Sequence, residues 1–353
     1  MLFRSAWTDG VAQRIRVVPR GFPHEVHRSG VVRDQVEFRV AVPEEFVDGS
    51  LAAELELYPS PLTDLLQGLE GILQLPHGCF EQASATHYPN VLAMAYMRAA
   101  GIDAPEVAAQ AEPLLASGLE RLVGYECSER GFEWFGGSPA HEALSAYGLL
   151  EFHDTARVFD VDPDLIERTR AWLFSRRNGE GGYERNPRAL DRFGAATEEV
   201  TDAFVTYALA CCGTPAADLE GELDRLEGLG LQSEDPYVVA LAAGALHAAG
   251  RLEPADAARD RLKAMQDEEG ALTGTQGSIT SSRGADLTVE TTALAVAAWL
   301  DDPEDEAYAR RGVEALLAAR QGSGRFGSTQ ATIQALRTLV RYAEVNQIGR
   351  AHV

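Results

Sequence analysis

Lysine is almost missing from this chain: of 31 basic residues, only Lys263 is a lysine. Such a bias fits a GC-rich coding sequence that writes arginine for lysine. In a chain with an amine-reactive bond it would also limit self-attack, because a guanidinium stays protonated and is a poor nucleophile. Cysteine is scarce too. Cys79, Cys127, Cys211 and Cys212 are too few and too unevenly spaced for a disulfide framework or a zinc site. Asn90, Asn178, Asn186 and Asn346 all lack Ser or Thr two positions on, so N-glycosylation has no acceptor. No apolar run approaches the length of a membrane span. With a formal charge of −23, the chain repels phosphate backbones and anionic bilayers, so neither nucleic acid nor a lipid surface is an expected partner. Neither a cofactor nor a metal is expected.

The two ends read as foreign to the rest. Residues 1–5, Met-Leu-Phe-Arg-Ser, and residues 348–353 back-translate to strings that are reverse complements over most of their length and resemble a sequencing adapter read inward from each side, so 1–5 and 347–353 are set apart as foreign. The expectation is an open reading frame trimmed between two read ends.

From residue 6 to residue 58 the pattern is short and alternating, as in Val36-Glu37-Phe38-Arg39-Val40-Ala41-Val42, and is punctuated by Pro19, Pro23, Pro43 and Gly49. It predicts antiparallel strands with one buried face. So little strand does not close a sandwich, which makes this a partial β-sandwich needing strands from elsewhere.

Residues 59–346 have a different texture. Amphipathic spacing predicts helices over 61–74, 80–100, 104–124, 138–153, 162–176, 197–212, 216–228, 234–250, 254–266, 287–301, 304–320 and 328–345, with Pro89 breaking the second. Ser60-Pro61, Ser138-Pro139, Asp162-Pro163 and Asp302-Pro303 read as N-caps with proline at the first helical position. Asp103 with Glu106 resembles a capping box. A similar loop returns between alternate helices: Gly131–Gly137, Gly181–Glu184, Gly270–Leu272 and Gly324–Gly327. The repeat predicts about six helical hairpins arranged as an α/α toroid, making the chain mainly α.

The chemistry concentrates in Pro76-His77-Gly78-Cys79-Phe80-Glu81-Gln82. A cysteine and a glutamine three positions apart can close a compact ring in which the thiol sulfur is acylated by the glutamine carbonyl and ammonia leaves. The resulting thioester is a stored electrophile. Thiolate leaves far more readily than an amine, so an attacking lysine is acylated and Cys79 is released as a free thiol. Gly78 permits the tight bend beside the ring.

This string resembles the Gly-Cys-Gly-Glu-Gln thioester motif of the α2-macroglobulin and complement family. Phe80 stands where animal members have glycine, as in looser bacterial versions, and Glu81 keeps its place. Gly327-Ser328-Thr329-Gln330 is similar to a stretch near the end of the family's thioester domain, and Val17-Val18-Pro19-Arg20-Gly21 to the strand region ahead of it. The resemblance implies that residues 59–346 are the thioester-containing toroid and residues 6–58 part of the CUB-like sandwich in which it is inserted. Later CUB strands would follow residue 346.

The family's implied activity is a single-turnover protease trap, an endopeptidase inhibitor rather than an enzyme. Its partners are target proteases, captured through lysine amines, and other domains of the parent chain. Its location is extracytoplasmic, with a lipid anchor on the parent chain an open question. In family members that acylate hydroxyls efficiently, a histidine attacks the thioester first. Asp191 matches that position, which implies direct attack by amines, with hydroxyl transfer slower; the alternative is an exposed loop carboxylate without a role.

His77 and His87 flank the motif, and surface or capping roles are expected for both. Of the aromatics around the ring, Phe80 is expected as a neighbour, while Tyr88, Trp134 and Phe135 read as plain core. The run Asp301-Asp302-Pro303-Glu304-Asp305-Glu306 suits a helix start, where carboxylates complement the dipole. Two other functional classes remain: an α/α-toroid enzyme of glycosidase or prenyl-transferring type with carboxylates in its central cavity, and a binding module that has lost its thioester. Intact mass discriminates, since a closed thioester lacks one ammonia.

Overall fold

The computed structural model describes residues 26, 35–44, 46–55, 57, 73–99, 101, 105–186, 195–321 and 325–348. The chain divides into two units, one formed by Met1–His27 with Glu37–Leu57, the other by Arg28–Val36 with Tyr58–Val353. In the first, residues 37–44 and 46–55 form no strand, and Phe38, Val40, Val42 and Leu51 are exposed. The expected antiparallel strands are therefore absent among the described residues. An alternating segment gains from its apolar face only when a second layer covers it and neighbours take up its backbone groups.

The second unit is mainly helical, as expected. Its described helices are α1 (Phe80–Ala99), α2 (Pro105–Val123), α3 (Glu142–Ala156), α4 (Pro163–Ser175), α5 (Glu198–Cys211), α6 (Glu220–Gln232), α7 (Pro236–Ala248), α8 (Leu252–Met265), α9 (Gly284–Trp299), α10 (Glu306–Ala319) and α11 (Thr329–Ile348). Short 3₁₀ turns, Ala216–Leu219 and Pro303–Asp305, lead into α6 and α10. The predicted helix over 61–74 falls almost wholly outside the described residues.

Burial sorts these helices into two layers. Along α3, α5, α7 and α9 nearly every residue is buried, whereas α4, α6, α8 and α10 bury a single stripe. A helix that is apolar on most sides belongs inside. Accordingly α1, α3, α5, α7, α9 and α11 each pack on the next, and α11 returns onto α1, closing a ring. The remaining helices form the outer layer, with α2 on α1, α4 on α3, α6 and α8 on α7, and α10 on α9.

The degenerate repeat has a common hydrogen-bond core. The loop residues Phe132, Tyr183, Leu272 and Phe326 are all buried. Each donates its backbone N–H to a side chain of the following inner helix: Ser145, Asp202, Thr292 and Thr332, over 2.8, 3.1, 2.9 and 2.9 Å. One polar residue on each of these four inner helices, α3, α5, α9 and α11, thus satisfies a buried donor that no helix or sheet ladder could reach.

Two local expectations need correction. Helix α1 runs unbroken through Pro89. The proline forfeits one ladder bond, but residues on both sides of it are buried in the core, and that packing holds the two halves in line. Ser138-Pro139 does not start a helix; α3 begins at Glu142 without a side-chain cap. Ser138 Oγ instead donates to Glu129 over 2.6 Å. Asp162, by contrast, caps α4 by accepting from the Asp164 N–H over 3.0 Å, as predicted. Asp103 lies outside the described residues.

Candidate functional site

The Pro76–Gln82 string forms the approach to α1 and its first turn. Gly78 has φ +78°, a left-handed conformation that side chains disfavour. A Cβ there would also lie 1.9 Å from Gln82 Oε1 and 2.7 Å from Gln82 Cδ. The turn therefore depends on glycine twice, for its backbone angle and for the space that the Gln82 side chain occupies.

Within this turn Gln82 folds back toward Cys79, whose backbone N–H donates to Gln82 Oε1 over 3.2 Å. Cys79 is half-buried, and Gln82 is exposed at the surface. The same N–H would face negative charge developing on the Gln82 oxygen during acyl transfer, at a helix N-terminus that favours it.

The turn is clamped from two sides. The Gly78 carbonyl accepts from the Tyr125 hydroxyl and from Arg121 Nε and Nη2, at 3.2 and 3.0 Å for the arginine. Opposite, the Phe80 N–H donates to the Trp134 carbonyl over 2.9 Å, and Trp134 Nε1 donates to Glu81 Oε2 over 3.4 Å. Phe80 is 1% exposed and packs against Phe132 at a centroid distance of 5.3 Å and edge-on to Tyr125 at 6.4 Å. A Cβ on Gly148 of α3 would sit 2.9 Å from the Phe80 ring, so that glycine makes room for the aromatic. The Phe80 ring thus anchors the turn in the core. Trp134, expected as plain core, takes part directly.

Sequence reasoning missed Arg121 and Tyr125, which lie more than forty positions from Gly78 and carry no local signal. Of the other aromatics, Phe135 is exposed, and Tyr88 is buried away from the turn with its hydroxyl on Asp154, 2.6 Å distant. The histidines also divide. His77 is exposed as expected, but His87 is fully buried, its Nδ1 2.7 Å from Glu151 Oε1, so its surface assignment is corrected. The reason is that residue 87 falls on the face of α1 turned toward α3, where a buried carboxylate is available. Burial pushes the Glu151 carboxyl up in spite of the bonds from His87 and Ser84.

Beside Gln82 a cleft of about 490 Å³ opens between three segments. Glu81, Gln82 and Ala85 line it from α1, Ser328, Thr329 and Gln330 from the start of α11, and the loop Thr280–Arg283 with Asp286 from the start of α9. Two sequence signals far apart in the chain, the Cys-Gln pair and the Gly-Ser-Thr-Gln stretch, thus meet at one cleft. Gln330 is held by Tyr147, whose hydroxyl donates to Gln330 Oε1 over 2.7 Å, and the Ser328 N–H donates to Asp286 Oδ1 over 2.9 Å. Asp191 lies outside the described residues.

The acidic run serves ion pairs. Asp305 pairs with Arg259 at 3.0 Å and with Lys263 at 2.5 Å, Asp301 pairs with Arg341, and Asp302 caps the turn at Glu304. Burial works against the charge of Lys263, but its bonds to Asp260 and Asp305 prevail and raise its pKa. The chain's one lysine is held as ammonium.

A closed ring of inner helices within an outer layer, with a Cys-x-x-Gln turn opening the first inner helix, defines a thioester-domain architecture. The chain belongs to the α2-macroglobulin and complement family: residues 56–342 match the A-macroglobulin TED domain. It is similar to thioester-containing protein 1 of Anopheles gambiae, alleles S3 and S1, with 24% identity over 184 residues in each. That match covers 50% of this chain and 14% of each mosquito protein, so the chain spans a small part of the length of these relatives. No helix among the described residues is long and apolar enough to cross a membrane.

Proposed function

We propose that Cys79 and Gln82 form an internal thioester and that the chain is the reactive domain of a protease trap that acylates lysine amines of the attacking protease. The observation that carries this reading is the Gln82 carboxamide folded onto the Cys79 backbone, 3.2 Å from its N–H. Closing the ring joins Cys79 Sγ to Gln82 Cδ and expels ammonia. Opening it by an amine forms an amide at Cδ and returns the Cys79 thiol. Glu81, bonded to Trp134, and Phe80, locked in the core, keep the turn in register for closure.

On this reading residues 59–346 are the thioester-containing toroid, preceded by a CUB-like segment over residues 6–58. The parent chain acts outside the cytoplasm with further domains that present the bait. Asp191 stands at the nucleophile-selecting position, so amines are favoured over hydroxyls, and Asp191→His shifts transfer toward hydroxyls and water.

The experiment is to present the freshly prepared parent protein with an active protease and look for an adduct that survives denaturation. Peptide mapping should find an isopeptide bond between Gln82 and a protease lysine. Cys79→Ser should abolish it. Inhibition with no covalent adduct would identify a binding module instead.

A further inference from the structure

A buried carboxylate stands behind the cleft, and the thioester chemistry described so far does not use it. Glu290 on α9 is 1% exposed, yet it is tied to the cleft-lining loop through hydroxyls. Ser282 Oγ donates to Glu290 Oε1, and Thr280 Oγ1 lies 3.2 Å from the same oxygen. Ser282 and Thr280 line the same cleft as Gln82. The loop is wound tightly: Ser281 takes φ +60°, rare for a residue with a side chain, and the Ser282 N–H donates to Ser278 Oγ over 3.1 Å. Strain of this kind persists where surrounding bonds over-determine a conformation.

Resting on the thioester reading above, we propose that Ser282 takes the proton from an amine attacking the Gln82 acyl carbon and that Glu290 is the positioning residue that receives the proton Ser282 gives up. The new C–N bond forms at Gln82 Cδ as the C–S bond breaks, and the bonding pair leaves on the Cys79 sulfur. One proton passes from the attacking nitrogen to Ser282 Oγ while the Ser282 proton moves to the Glu290 carboxylate. Cys79 is reprotonated from solvent and Glu290 returns its proton to solvent, so the sum is amide plus thiol. Glu81 and Asp286, on the same cleft, draw a cationic amine toward it.

Burial, ahead of the opposing bonds from Ser282, Ser278 and Thr280, raises the Glu290 carboxyl to about 7, which suits a proton acceptor near neutrality. The titratable groups facing it are Asp286 on its own helix, Tyr147 on α3 and Tyr237 on α7. Burial holds both phenols neutral. On α11, Arg337 is engaged by Asp154 and Tyr207 instead.

The test measures aminolysis of the closed thioester as a function of pH with trifluoroethylamine, a weak base that is largely unprotonated from mildly acidic pH upward. In the wild type the rate should rise with pH and level off above about 7, following Glu290. Glu290→Gln, which keeps the shape and hydrogen-bonding capacity, should still close the thioester but react about a hundredfold more slowly above that pH, with the break in the profile gone. Ser282→Ala leaves Glu290 its bonds from Thr280 and Ser278, and should give the same loss should Glu290→Gln fail to fold. A closed thioester whose rate and pH profile are untouched by these substitutions overturns this proposal alone. A wild-type protein with no thioester overturns both this proposal and the reading beneath it.

Discussion

Gln82 lies across the α carbon of Gly78: a single added methyl at residue 78 would sit 1.9 Å from the Gln82 amide oxygen. The reactive pair is therefore held by an absence of side chain as much as by any bond. Gly78→Ala should leave the helical ring folded, since the turn lies at its edge, but displace the Gln82 carboxamide from Cys79. The expected outcome is a free Cys79 thiol and an unmodified Gln82 amide in freshly made protein, with near-native circular dichroism. A variant that closes its thioester normally would show that the turn tolerates a Cβ.

Phe80 marks the difference from the animal motif, and the structure gives its reason. Its ring fills the space between Phe132, Tyr125 and Gly148. Phe80→Gly, the apparent reversion to the animal motif, should therefore destabilise the chain by about 3–5 kcal/mol through cavity formation. Adding Gly148→Leu should recover part of that loss. Urea denaturation of the single and double variants measures both effects.

Arg337 on α11 ties the last inner helix to the ring. Its Nε donates to Asp154 over 2.8 Å and its Nη1 to the Tyr207 hydroxyl over 2.9 Å. Burial pushes the Asp154 carboxyl up, but the Arg337 guanidinium, with bonds from His153 and Tyr88, outweighs it and holds the group well below the ordinary carboxylate range. Its folded value is depressed, so its contribution is present above the ordinary range and is lost only in strong acid. Arg337→Met leaves a buried carboxylate without its cation and should cost about 3–5 kcal/mol at neutral pH. The deficit should shrink on acidification as Asp154 takes up a proton, which denaturation at stepped pH would reveal.

Glu290 has the opposite sign. Its folded value is raised from 4.5 to about 7, so the native state holds a proton that the unfolded chain releases. Stability should fall as pH rises through that window. Glu290→Gln removes the decline, and the variant should gain on the wild type by on the order of 3 kcal/mol between the two ends. Parallel wild-type and variant curves would contradict the burial argument.

How much of this was legible in the sequence varied with the range of the interaction. The Cys-x-x-Gln pair and the caps at Asp162 and Asp302 are local, because a ring or a cap is built within a few residues. The glycine loops signalled the repeat but not its mechanism, since the donors of Phe132 and Tyr183 find their acceptors more than ten positions away. Pro89 misled because propensity describes a helix in solvent, whereas this one is buried on both sides of the proline. The clamp of Arg121 and Tyr125 on Gly78, the burial of His87 against Glu151 and the link from Ser282 to Glu290 exist only once helices are packed, so no window of sequence displays them. The alternating segment before residue 58 shows the converse: a clear pattern without a partnering layer among the described residues.

The central claim is the bond between Cys79 and Gln82, and intact mass tests it most directly. Freshly purified parent protein should weigh one ammonia less than its sequence. Methylamine should then add once, at Gln82, with the release of one titratable thiol at Cys79. A full-weight protein with Cys79 already free and Gln82 an unmodified amide would contradict the account.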